Sequence, residues 1–185
     1  MKVHILGVCG TFMAGVAQLA VQRGDEVLGV DQNVYPPMST LLEELGVELI
    51  EGYENYQPQQ QPDVVIVGNA ISRGNPALEF VMSKRWRYTS GPQWLSECLL
   101  IYKKVIAVAG THGKTTTTAM IIWLMKQLGF NPGYLVGGVV NGLTASADIG
   151  GSDWFVIEAD EYDTAFFDKR SKFVHYYPEI LIINN

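Results

Sequence analysis

The chain has 185 residues, enough for one large or two small domains, and 48% hydrophobic against 17% charged residues describe a globular protein with a sizeable core. Thirteen basic against nineteen acidic residues give a net charge of −6, which argues against a general nucleic-acid surface and makes any phosphate-binding charge a local matter. No apolar run approaches the roughly 20 residues of a membrane span. The opening residues do not read as a signal peptide, and Cys9 and Cys98 form neither a disulfide framework nor a metal pattern, so the expectation is a cytoplasmic protein with no membrane or nucleic-acid partner.

Residues 3–6 read as a buried strand and residues 13–23 as a helix. Between and into them runs Gly7-Val8-Cys9-Gly10-Thr11-Phe12-Met13-Ala14-Gly15. This turn departs from the dinucleotide fingerprint, because Cys9 and Phe12 stand where G-x-G-x-x-G takes glycine. A second strand, residues 26–30, leads to Asp31, where an acid can accept from a ribose or base. A nucleotide diphosphate is therefore expected there and NAD is not; a ligand-free strand–helix turn is the plainer alternative. A helix opening at Ser39, a strand at 47–50, a polar Gln/Pro loop at 57–62 and a strand at 64–67 follow. Residues 77–84 read as a helix, and Pro92 fits the first turn of another that runs to Leu100. This alternation predicts a doubly wound parallel sheet with right-handed crossovers.

The pattern restarts near Lys103 without a long linker, which sets an expected boundary at 102/103. Val105-Ile106-Ala107-Val108 reads as a core strand and residues 116–128 as a helix, with Met120, Ile121, Leu124, Met125 and Leu128 at helical spacing. Joining them is Ala109-Gly110-Thr111-His112-Gly113-Lys114-Thr115-Thr116. Glycines let backbone amides converge on a phosphate, the helix N-terminus adds positive potential, and lysine adds a full charge. The general G-x-x-x-x-G-K-[ST] pattern would need glycine where Val108 stands, so a chance Gly-Lys-Thr at a helix start is the alternative reading.

Further strands are expected at 134–136, 154–157 and 180–183. Trp154-Phe155-Val156-Ile157 ends in Glu158, followed by Asp160, Glu161 and Asp163. A carboxylate at that strand end, beside the phosphate loop, would reach Mg²⁺ on a nucleotide, and clustered acids are costly without a cation. A solvated acidic turn is the competing view. Asp168-Lys169-Arg170-Ser171-Lys172 reads equally as a phosphate patch or a solvated charge run. His112 shapes the loop, His4 and His175 suit satisfied core or edge positions, Cys9 suits packing, and Trp86, Trp94, Trp123 and Trp154 are expected in the core. The chain closes on a core strand, which gives the expectation of a fragment cut inside a domain.

Taken together, the Gly7–Gly15 turn, Gly110-Thr111-His112-Gly113-Lys114-Thr115-Thr116 and Glu158-Ala159-Asp160-Glu161-Tyr162-Asp163 resemble the Mur ligases, ATP-dependent amide-bond ligases of peptidoglycan synthesis. The resemblance covers the whole chain, and the family's own loop form accounts for Val108. It implies an α/β chain: a Rossmann-like, UDP-sugar-binding parallel-sheet domain over residues 1–102, then the start of a P-loop ATP-binding domain, truncated, over residues 103–185. UDP-N-acetylmuramate would contact Gly10, Thr11 and Asp31, with Asn69 and Ala70 as weaker contacts. ATP would sit on Gly110, Thr111, His112, Gly113, Lys114, Thr115 and Thr116. Lys114 would be the catalytic cation, and Thr115 and Glu158 would hold Mg²⁺. Tyr35-Pro36-Pro37-Met38-Ser39-Thr40, Gly68-Asn69-Ala70, Arg73-Gly74-Asn75-Pro76, Ser90-Gly91-Pro92-Gln93-Trp94 and Phe166-Phe167-Asp168-Lys169-Arg170-Ser171-Lys172 suggest the branch that adds the murein tripeptide L-Ala-γ-D-Glu-meso-diaminopimelate. The branch adding L-alanine is the nearest alternative; an NAD-dependent oxidoreductase domain or a non-catalytic nucleotide-binding module lies further off. Further metal, adenine and peptide contacts of the family fall outside these residues, so the 185 residues alone are expected to bind UDP-N-acetylmuramate and not to ligate.

Overall fold

A computed structural model describes residues 1–138, 143 and 145–185. The chain divides into two compact units, Met1–Gly91 with Thr164–Lys169, and Pro92–Asp163 with Arg170–Asn185. The division at 91/92 falls just after the first residue of α4 below, and the sequence-based boundary at 102/103 lies beyond the end of that helix.

The first unit is built from β1 (Lys2–Leu6), α1 (Thr11–Gln22), β2 (Glu26–Asp31), α2 (Met38–Glu44), β3 (Glu48–Glu51), β4 (Val64–Val67), α3 (Pro76–Ser83) and β5 (Tyr88–Ser90). Its sheet has the order β3-β2-β1-β4-β5, with every pair parallel. Val3 lies between Val27 and Val64, and β4 is buried along its whole length. Parallel strands covered on both faces read as continuous Val/Ile/Leu runs, which is why these central strands are visible in the sequence. Asn75 caps α3 through its side chain, which accepts from the Leu78 amide, and Pro76 occupies the first turn. Leu6, Val30, Val65, Val67, Leu78 and Val81 form one core face, onto which Phe166 packs.

The second unit holds α4 (Gly91–Cys98), β6 (Lys104–Ala109), α5 (Lys114–Gln127), β7 (Gly133–Leu135), β8 (Ala147–Asp148), β9 (Trp154–Glu158) and β12 (Ile180–Ile183), while β10 (Asp163–Ala165) and β11 (Asp168–Ser171) form a separate two-stranded sheet. The sheet order is β12-β6-β9-β7-β8, parallel except for β7 against β8.

Two expectations about α5 need correcting. It begins at Lys114, two residues earlier than expected, because Gly113 caps it in the left-handed region. Its core side is Thr118 and Ile122, with Ile121 and Met125 partly packed, whereas Met120, Leu124 and Leu128 face outward. Trp123, expected in the core, is 57% exposed. Apolar residues surround this helix, so period alone cannot choose the buried face. Trp94 is buried, and Trp86 and Trp154 pack partly against the two cores.

Candidate functional site

The loop between β6 and α5 is shaped by its neighbours. Gly110 adopts φ +128°, and a Cβ there would stand 2.5 Å from the Asn184 carbonyl oxygen, so only glycine fits. The amides of Thr111 and His112 both donate to the Asn185 carbonyl, at 2.9 and 3.4 Å. Consecutive N–H groups converging on one oxygen is the geometry by which a backbone nest holds an anion. Lys114 Nζ donates to the Gly110 carbonyl at 2.6 Å, folding the ammonium over the loop. Asn184 Nδ2 donates to Thr117 Oγ1 at 2.8 Å, which ties the end of β12 to the first turn of α5. Thr111, His112, Gly113 and Thr116 are exposed, and Thr115 is half-buried.

Register fixes the neighbouring acid. Val108 pairs with Glu158, so the carboxylate leaves β9 beside the strand that feeds the loop. Glu158 Oε1 accepts from the Gly137 amide at 3.0 Å, a partner that sequence reading did not find. Asp160 Oδ2 accepts from Lys172 Nζ at 3.0 Å, and its Oδ1 lies 3.8 Å from Lys114 Nζ; Glu161 Oε2 lies 3.9 Å from the same ammonium. Asp160 and Glu161 thus face two lysines, while Glu158 takes a backbone amide. The run at 168–172 is likewise not a solvated face: Lys169 and Arg170 are exposed, but Asp168 and Lys172 are buried. Tyr176 is buried as well, and burial, with the charges of Asp160 and Glu158, pushes its phenol well above the usual range, so it stays neutral.

Mg²⁺ can be tested against these donors. Among the described residues no group of three or more His, Cys, Asp or Glu gathers as a protein cage. A nucleotide-borne Mg²⁺ takes one or two protein oxygens and completes its shell with phosphate and water. The Thr115 hydroxyl and Glu158 carboxylate are hard oxygen donors of that kind, and they fit this mode of binding.

In the first unit, chain order 1-2-3 runs one way across the sheet and then crosses to β4, so the topological switch lies between β1 and β4. Gly10 and Thr11 follow β1, and Asn69 and Ala70 follow β4; all four are exposed at carboxyl strand ends flanking that switch. Asp31 ends β2 and is already engaged. Its Oδ2 accepts from the Cys9 amide at 2.9 Å, and its Oδ1 accepts from the Gln32 amide at 2.8 Å and the Tyr53 hydroxyl at 3.4 Å. The carboxylate thus pins the glycine turn. The Cys9 thiol is pushed up to about 11 by burial and by the Asp31 charge, which makes it a poor nucleophile.

A glycine loop between parallel strand and helix, a lysine at the helix start and an acid on the adjacent strand define a P-loop-like α/β arrangement. The family described as "Mur ligase family, catalytic domain" matches residues 2–103, more than half of the chain. The chain belongs to the Mur ligase family. It is 61% identical over 185 residues to the UDP-N-acetylmuramate–L-alanyl-gamma-D-glutamyl-meso-2,6-diaminoheptandioate ligase of Escherichia coli K12, covering 100% of this chain and 40% of that protein. It is 36% identical over 183 residues to the UDP-N-acetylmuramate–L-alanine ligase of Syntrophomonas wolfei, covering 99% of this chain and 37% of that protein. Among solved structures it resembles the UDP-N-acetylmuramate:L-alanyl-gamma-D-glutamyl-meso-diaminopimelate ligase of Neisseria meningitides with a TM-score of 0.94 and 48% identity, over 100% of this chain and 60% of that one. The chain spans about 40% of the length of the curated relatives it matches.

Proposed function

We propose that the whole protein is an ATP-dependent ligase joining the tripeptide L-Ala-γ-D-Glu-meso-diaminopimelate to UDP-N-acetylmuramate in peptidoglycan recycling. The observation that carries this reading is the Gly110–Thr116 loop, with Lys114 folded over it and Glu158 on the adjoining strand. Identity of 61% to a tripeptide-adding relative against 36% to an alanine-adding one supports the tripeptide as the amine partner. Residues 1–102 would hold the UDP-sugar, through Gly10, Thr11, Asn69, Ala70 and the turn that Asp31 pins. Residues 103–185 would hold ATP through Gly110, Thr111, His112, Gly113, Lys114, Thr115 and Thr116.

In the reaction, an oxygen of the lactyl carboxylate attacks the γ-phosphorus, ADP leaves with the bridging electron pair, and an acyl phosphate results. The peptide's amine then forms the C–N bond, phosphate departs, and the amine loses a proton. Lys114 and the loop amides stabilise charge on the transferring phosphoryl group, while binding of both substrates supplies the positioning. Thr115 and Glu158 are the side chains that would hold a nucleotide-borne Mg²⁺, which would screen phosphate charge. Cys9 and Cys98 are not joined in a disulfide, which supports a reducing, cytoplasmic setting, and among the described residues no helix is long and apolar enough to cross a membrane.

A thermal-shift series tests the binding part. UDP-N-acetylmuramate and ATP with Mg²⁺ should each raise the melting temperature; a ligand at a hundred times its Kd adds about 2.7 kcal/mol of stability. NAD should not. A response to NAD alone would point to an oxidoreductase domain. Assayed in the whole protein, preference for L-alanine over the tripeptide would assign it to the alanine-adding branch instead.

A further inference from the structure

Lys172 is an unusual lysine for a charge run. Its side chain is only 8% exposed, and it opens a 3-10 turn, Lys172–His175, that follows β11. A buried ammonium is costly unless a carboxylate compensates it. Lys172 Nζ donates to Asp160 Oδ2 at 3.0 Å, and the opposite oxygen of that carboxylate lies 3.8 Å from the ammonium of Lys114. One acid is therefore shared between the phosphate-loop lysine and a second lysine that sits closer to it. Coulombic attraction rises as separation falls, and it is strongest where water is excluded. With Lys172 in place, Asp160 Oδ2 has a cation at hydrogen-bond distance, and Lys114 makes its short bond to the Gly110 carbonyl instead. Without Lys172, Asp160 would have Lys114 as its cation, with Glu161 3.9 Å away adding to the pull.

We propose that Lys172 is a positioning residue for nucleotide binding: by holding Asp160 it keeps the Lys114 ammonium available to phosphate instead of captured in an internal ion pair. This rests on the reading of Gly110–Thr116 as the ATP site. The hairpin β10–β11 gives the device its geometry, since it brings Lys172 back to an acid 12 residues earlier in the chain.

The test is calorimetric titration of ATP-Mg²⁺ and, separately, UDP-N-acetylmuramate into the whole protein. Lys172→Met should weaken ATP-Mg²⁺ by about tenfold, leave UDP-N-acetylmuramate unchanged, and regain nucleotide affinity when Asp160→Asn is added. Recovery in the double variant is a readout that loss of packing would not give. Should Lys172→Met fail to fold, Lys172→Gln keeps a hydrogen-bonding atom beside Asp160 without the charge and carries the same expectation. Unchanged nucleotide affinity in a folded variant, or a loss that Asp160→Asn does not relieve, would overturn the proposal. Failure of the unaltered protein to bind ATP-Mg²⁺ would instead overturn the reading of the loop on which it rests.

Discussion

At His4 an imidazole is buried in β1, and its Nδ1 shares a 2.7 Å hydrogen bond with the Tyr56 hydroxyl. Burial lowers its pKa from 6.5 to about 4; Glu26 opposes that shift and Lys2 adds to it. The unfolded chain therefore binds more protons between these values. Stability contributed by the neutral ring is complete above pH 6.5 and is lost as pH falls toward 4, by up to roughly 3 kcal/mol. Urea unfolding followed from pH 7 to pH 4 should show this slope, and His4→Gln should flatten it. The role proposed for Lys114 is in chemistry instead. Lys114→Ala in the whole protein should reduce kcat by about a hundred- to a thousandfold, as loss of one charged transition-state donor does. The UDP-N-acetylmuramate affinity should hold, so equal weakening of both substrates would count against the role given to this residue.

Among elements, the β6–α5 connection depends on one missing side chain. Gly110→Ala would drive a methyl into the Asn184 carbonyl at a backbone angle that L-residues rarely adopt, so the loop must move. The expected outcome is loss of the ATP-induced thermal shift with the UDP-N-acetylmuramate shift intact. How well each element could be read from sequence follows its burial. β1, β4, β6 and β9 are covered on both faces and spell out apolar runs, and the glycine loops announce themselves by residue type. β5, Tyr88-Thr89-Ser90, has three residues and no such run after Arg85-Trp86-Arg87. β11 is Asp168-Lys169-Arg170-Ser171, which looks like surface until its pairing with β10 is known. The Lys172–Asp160 contact and the Gly137 amide on Glu158 stayed hidden for the same reason: each joins side chains or backbone that only tertiary structure brings together. Asp31 was legible as an acid at a strand end, but its grip on the Cys9 amide was not.

For the molecule as a whole, the outward face of α5 presents Met120, Trp123, Leu124 and Leu128, each at least half exposed, and Ile180, Leu181 and Ile183 of β12 are open too. Exposed apolar side chains spaced four residues apart on one helix face, as at Met120, Leu124 and Leu128, favour association. For the 185-residue chain prepared alone, the combined change Trp123→Glu and Leu124→Gln should move sedimentation toward monomer while leaving the urea midpoint within about 0.5 kcal/mol. A clearly lower midpoint would mean that the face is packed and not merely covered.

Thr164–Lys169 belongs to the unit formed by Met1–Gly91, although residues 92–163 come between them. Phe166 packs on that unit's core, and Phe167 meets Tyr88 edge-on at 5.1 Å. Nascent chains fold from the N-terminus as they emerge. Until residue 167 has been synthesised, the first unit lacks these two aromatic rings. A single cut after residue 91 would therefore leave Thr164–Lys169 apart from the unit they belong to.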